Sequence, residues 1–324
     1  MLLNKYIVIY ALFLVCSLGV GAIGAGYGLM VLFRRRTDDS AEKRAHLEKY
    51  LYLCTSAMFI GVLIRLVMIP LWFVMLHKLI PHIPGAMCLA GVHLNVPFYG
   101  WAASSMKLIL PWLYFSWIFI NKIDYHLVTQ PYFKLRQILL APLILFLFVE
   151  AFLDIKFLTG LTPTPVTCCT AIFDFNPTGI PPMLAETHWY FVILFLFSLL
   201  IQIIMLIWNG NHRWINLATA VLSIVLFFAL LFGLHTRLSP LILDSPFHHC
   251  IFCLLQNNPW ILIGSLLVLM AIYVSFAFGL TAFVNQEALR NFGKVRFIKS
   301  AILSLYALGT LLIAVPAMIK LLTG

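Results

Sequence analysis

The chain has 324 residues, of which 63% are hydrophobic and 10% charged, with a formal net charge of +10. Soluble domains are about half apolar and about a quarter charged, so this composition excludes a water-soluble fold. The positive balance does not indicate nucleic-acid binding, because no basic groove or recognition motif accompanies it.

Eight apolar runs are expected to span a membrane, at about 6–33, 50–77, 98–121, 136–158, 188–208, 214–235, 259–283 and 299–320. They predict an all-α polytopic protein with one transmembrane domain over residues 1–324. Helices are required because backbone polar groups cannot stay unpaired in hydrocarbon. A β-barrel would instead read as short alternating segments.

The first run, Ile7 to Leu32, is too long for the core of a signal peptide, and Arg34-Arg35-Arg36 follows it rather than precedes it. It is expected to remain as an uncleaved span. Gly24 and Gly28 within it form a small-xxx-small pair suited to close helix packing.

Lysine and arginine sort the loops. One side collects Arg34, Arg35, Arg36, Lys43, Arg44, Lys49, Lys122, Lys134, Arg136, Arg213, Arg290, Lys294, Arg296 and Lys299, and the other only Lys5, Lys78, Lys156, Arg237 and Lys320. The first side is expected to be cytoplasmic, which puts both termini on the extracytoplasmic side of a bacterial inner (plasma) membrane. Membrane lipid is then the immediate partner.

The inner loops are short and charged. The outer loops, 78–97, 159–187 and 236–258, carry proline and cysteine and are expected to pack as a cap. Of seven cysteines, Cys16 and Cys54 fall in spans and read as small apolar packing residues. The other five, Cys88, Cys168, Cys169, Cys250 and Cys253, all fall in outer loops. Most histidines also lie near that side: His77, His82, His93, His188, His235, His248 and His249. The densest stretch is His248-His249-Cys250-Ile251-Phe252-Cys253.

Three chemistries fit this one-sided pattern. Thiol/disulfide exchange is the leading one, with Cys250 and Cys253 as a redox-active pair serving an extracytoplasmic protein partner. Cysteine at a helix start has a lowered pKa and is a better nucleophile. The second is metal handling, because thiolate and imidazole ligands suit copper or zinc. Cys88, Cys168, Cys169, His248 and His249 are its candidate ligands, with Cys250 and Cys253. The third is plain disulfide stapling in a structural subunit of a membrane complex.

Charge inside the spans is the other unusual feature. Arg65, Lys107 and Glu150 each lie about 14 residues from the cytoplasmic end of their helix, roughly 21 Å at helical rise, so they share one depth. Asp154 follows Glu150 by one turn on the same face. An isolated charge there costs about 3 kcal/mol, so partners are expected. A cluster joining spans two, three and four follows, with Glu150 at its centre. It would serve either as a structural ion pair or as a polar pocket for a quinone head group.

Cys250-Ile251-Phe252-Cys253-Leu254, with further cysteines on the same side, resembles the membrane thiol–quinone oxidoreductases, the disulfide-bond-forming and vitamin-K-epoxide-reductase-like proteins. That resemblance implies a quinone-proximal redox role for Cys250 and Cys253. The family's four spans are eight here, and Cys88, Cys168 and Cys169 have no counterpart in it.

Overall fold

The computed structural model describes residues 4–34, 41–127, 132–166, 189–208, 213–245, 248–284 and 294–323. Among these the chain is 90% helical, with no strand. Eight helices are long and apolar enough to cross a membrane: Lys5–Gly28, Lys49–His82, Pro97–His126, Ile138–Gly160, Tyr190–Ile207, Arg213–Leu243, Pro259–Val284 and Val295–Thr323. The expected helical, multi-pass membrane class is therefore what the fold presents.

The helices are α1 (Lys5–Arg34), α2 (Ala41–Leu79), α3 (Leu89–Asn95), α4 (Pro97–His126), α5 (Phe133–Gly160), α6 (Tyr190–Ile207), α7 (Arg213–Gly233), α8 (Ser239–Leu243), α9 (Ile251–Asn257), α10 (Pro259–Val284) and α11 (Val295–Thr323). Three short ones, α3, α8 and α9, fall in segments the sequence marks only as outer loops. Packing divides the chain into two compact units. One comprises Met1–Ala86, Val92–Tyr114 and Gln137–Val166. The other comprises Met87–Gly91, Phe115–Arg136 and Thr167–Gly324.

In the first unit, α1 lies against α2 and α5. The expected small-residue pair does this: Gly24 faces Met58 and Gly28 faces Cys54, which is itself buried. The turn after α2 depends on Gly85, whose φ is +80°. A side chain there would run into the carbonyl of Val166, whose N–H donates to the Pro84 carbonyl at 2.9 Å.

In the second unit, α10 packs against α7 and α11. Gly264 and Gly309 meet backbone to backbone, so that a Cβ on Gly309 would lie 2.8 Å from the Gly264 carbonyl oxygen and 3.0 Å from the Val268 nitrogen. Backbone atoms cannot swing aside, so Gly309→Val must separate α10 from α11. We expect a loss of about 1–3 kcal/mol, read as a lowered unfolding temperature in detergent. Gly19→Ala, where a Cβ meets nothing within 4 Å, is the control and should leave stability equal or higher.

The span expected at 214–235 continues further. After Gly233 the helix widens into a π turn, Leu234–Leu238, and resumes as α8. Pro240 has no N–H to return to the Thr236 carbonyl, so the ladder shifts and Ser239 N–H bonds Leu234 O. Asp244, at φ 54°, then ends the helix in a left-handed conformation and pairs with Lys320.

At the other end of α4, Asp124 receives the Tyr132 N–H at 2.8 Å and faces Arg136 Nη1 at 3.2 Å. Tyr132 donates its hydroxyl to the Thr281 carbonyl at 3.0 Å. Burial first, and the Asp124 charge second, hold that phenol above its ordinary pKa. Arg136 is thus a buried partner of Asp124 as well as one of the basic residues that sort the loops.

Candidate functional site: a three-thiol cluster and a buried charge network

The second unit brings three of the five loop cysteines together. Cys250 directly precedes α9, and Cys253 follows one turn later on the same face, as i, i+3 spacing dictates. Cys88 comes from the stretch just before α3. The sulfurs of Cys88, Cys250 and Cys253 all lie within 4.8 Å of one another, with Cys88 and Cys250 at 3.8 Å. No disulfide joins them. Cys88 and Cys250 are buried in a small apolar cluster with Ala90, against which Phe252 packs, while Cys253 is half-buried.

The local fold fixes this placement. The Ser239 hydroxyl faces the carbonyls of His248 and Cys250 at 3.0 and 3.1 Å and ties the approach to α9 onto the start of α8. Leu254 N–H bonds the Cys250 carbonyl at 3.1 Å and closes the first turn.

His248 and His249 stand outside the three-thiol group. His249 is buried, with Nδ1 at 3.2 Å from the carbonyl oxygen of His235 in the π turn and the two rings 5.6 Å apart. Cys168, Cys169 and His188 lie outside the described residues.

The donor set fits a soft ion. With metal–sulfur bonds of about 2.3 Å, two thiolates at adjacent corners of a tetrahedron stand about 3.8 Å apart. That is the separation of Cys88 and Cys250. A thiol-exchange site has a different requirement, since an incoming disulfide must reach a thiolate along its S–S axis. Among the three, only Cys253 is partly open to such an approach.

The first unit holds the intramembrane charges. Lys107 Nζ donates to Asp154 Oδ1 at 2.7 Å and to Glu150 Oε1 at 3.2 Å. Arg65 Nη1 stands 3.5 Å from Asp154 Oδ2 and 3.9 Å from Glu150 Oε2, and its Nη2 donates to the Leu147 carbonyl at 3.3 Å. Tyr10 donates to Asp154 Oδ2 at 2.6 Å, and Tyr114 to Glu150 Oε2 at 2.7 Å. All six side chains are buried. Two cations therefore balance two carboxylates, and each carboxylate oxygen has a donor.

The network joins α2, α4 and α5 as expected, and Tyr10 adds α1. Asp154 shares the centre with Glu150. A second layer caps it. Lys107 Nζ sits 4.4 Å from the Trp72 ring centroid, and Trp72 Nε1 donates to Ser104 Oγ at 2.8 Å. Ser104 also hydrogen-bonds His93 Nε2 at 2.5 Å, and the His93 ring stacks on Trp101. Tyr10, Trp72 and Ser104 carried no sequence signal as site residues, because each type is ordinary in a membrane helix; His93 was noted only as one of the histidines near the outer side. Of the residues considered for a quinone head group, Lys107 and Glu150 are bonded within the network, whereas Arg65 reaches it through Nη1 at ion-pair distance and its buried Nε has no hydrogen-bond partner among the described residues.

Comparison with known proteins finds no matching family model, no matching curated protein and no matching solved structure.

Proposed function

We propose that this is an integral protein of a bacterial inner membrane that holds a soft metal ion, copper or zinc, at Cys88, Cys250 and Cys253 for an exported partner. Both termini and the thiol cluster are assigned to the extracytoplasmic side, on the lysine and arginine count. The observation that carries the reading is the convergence of three sulfurs from two distant segments within 4.8 Å. Burial of Cys88 and Cys250 suits a retained ion better than exchange with a bulky protein disulfide. The charge network, neutral and held by the hydrogen bonds of Lys107, Tyr10 and Tyr114, acts as the framework that fixes the first unit's helices.

The half-buried state of Cys253 favours one second reading, thiol/disulfide exchange. There, a quinone takes two electrons and two protons from Cys253 and a second thiol of the trio, leaving as quinol and joining the two sulfurs. A partner thiolate then attacks Cys253 in that disulfide, and a second partner thiol resolves the mixed disulfide, leaving the partner oxidised and the three thiols restored.

Elemental analysis of protein purified under reducing, chelator-free conditions decides between the two. The metal reading expects near-stoichiometric copper or zinc, lost in Cys88→Ser and Cys250→Ser. Metal-free protein that loses two titratable thiols on exposure to a quinone, and regains them from a dithiol substrate, would overturn it in favour of exchange.

A further inference from the structure

The second unit has a polar core of its own, apart from the thiols. Gln202 on α6, Ser223 on α7, Ser275 on α10 and Tyr306 on α11 are all fully buried within apolar spans. The amide of Gln202 is held in one orientation. Its Nε2 donates to the Ser223 hydroxyl oxygen at 3.2 Å and to the Thr219 carbonyl at 3.4 Å, and Ser223 gives its own proton to that carbonyl at 2.8 Å. A carbonyl can only accept, so the nitrogen of the amide must face α7. Gln202 Oε1 then points away from those two partners.

Gln202 and Ser275 are the side-chain hydrogen-bonding groups beside the Tyr306 hydroxyl. Yet Gln202 Oε1, Ser275 Oγ and Tyr306 Oη each lack a hydrogen bond of proper geometry among the described residues. A hydroxyl in a helix commonly returns its proton to the carbonyl one turn back. Ser223 and Thr281 do so, and Ser275 does not. Polar atoms from three helices therefore gather around the phenol without closing on one another. Two are hydroxyl donors and the third is an amide acceptor.

We propose that Gln202, Ser275 and Tyr306 bind one water molecule, which joins α6 to α10 and α11. The water accepts a hydrogen bond from each of the two hydroxyls and donates one to Gln202 Oε1. About three bonds is the usual complement of a buried water, and such waters sit on otherwise unpaired polar groups. A monovalent cation suits the same oxygens poorly. It would force both hydroxyl protons away from the centre, and none of the side chains around it is a carboxylate that would balance its charge. The bridge matters for α6 in particular, whose sequence is otherwise almost wholly apolar. Lipid solvates apolar side chains as well as a neighbouring helix does, so polar contacts contribute specifically to holding such a helix in place. The site is independent of whether the thiols hold an ion.

The test uses the full-length protein in lipid nanodiscs, its structure determined at a resolution that places ordered water. The expected result is a water oxygen within hydrogen-bonding distance of Gln202 Oε1, Ser275 Oγ and Tyr306 Oη. A direct bond from Tyr306 to Gln202 with no molecule between them, or a cation at that point, would overturn the proposal.

Stability supplies a second measurement on the same preparation. Ser275→Ala and Tyr306→Phe each delete one hydroxyl and leave the remaining packing in place, so both variants are expected to fold. Each should lower the unfolding temperature, and the double variant should lose less than the two losses added, because both break one bridge. Strictly additive losses, or a Tyr306→Phe variant that unfolds at the wild-type temperature, would overturn the shared water.

Discussion

Lys107→Met is expected to cost about 3–5 kcal/mol of stability, because it strips the shared partner from two buried carboxylates. Lys107 Nζ is the donor at 2.7 Å to Asp154 and at 3.2 Å to Glu150. Without it, Arg65 alone faces both anions, at 3.5 and 3.9 Å. One negative charge is then uncompensated in a low-dielectric interior. Methionine matches the lysine stem in length, so lost packing contributes little. The comparison that isolates charge is Lys107→Met combined with Asp154→Asn, which restores neutrality and keeps a polar partner for Tyr10. Unfolding in mixed micelles, followed by circular dichroism, should show the single variant strongly destabilised and the double variant recovering much of the loss. A single variant as stable as wild type would mean that the pair adds nothing, and the framework role would fall with it.

That network shows where sequence reading succeeds in this protein. A charge in an apolar run is costly enough to demand a partner. The equal depths of Arg65, Lys107 and Glu150 follow from helix rise alone, so the joining of α2, α4 and α5 was legible. Tyr10 was not, because a tyrosine in a span has an apolar ring and needs only one hydrogen bond, and many partners would supply it. The same holds for Trp72 and Ser104. Each satisfies the other at 2.8 Å, a pairing between positions 32 residues apart that no local pattern encodes.

The thiol cluster divides in the same way. Cys250 and Cys253 are fixed relative to each other by one helical turn, which spacing reveals. The arrival of Cys88 beside them depends on tertiary packing, and the sequence supplied only a shared side of the membrane. The histidines illustrate the limit. His248 and His249 precede Cys250 and looked like co-ligands. Yet His249 turns to the carbonyl of His235 at 3.2 Å, on a π turn that the Pro240 interruption creates. Neighbours in sequence at the start of a helix need not share a site, since the extended backbone before the helix alternates side-chain directions.

Trp72 is where removal of one apolar side chain should matter most, and Trp72→Ala is expected to cost about 3–5 kcal/mol. Its side chain is fully buried and meets Tyr10 and Phe157 with ring centroids 5.4 and 5.2 Å away. It also roofs the ammonium of Lys107 at 4.4 Å and satisfies Ser104. Alanine would therefore open a cavity directly over the charge network, remove a cation–π contact and leave the Ser104–His93 pair without its third member. Trp72→Phe separates these effects. It keeps an aromatic face toward Lys107 and most of the volume, and forfeits only the indole N–H bond and part of the packing. We expect it to lose about 1–2 kcal/mol, the scale of one buried hydrogen bond and a modest volume change. Combining Trp72→Ala with Lys107→Met should then cost less than the two losses added, because the roof and the ammonium act on each other. Strict additivity in that cycle would show that Trp72 only fills space, with no part in holding the lysine charge.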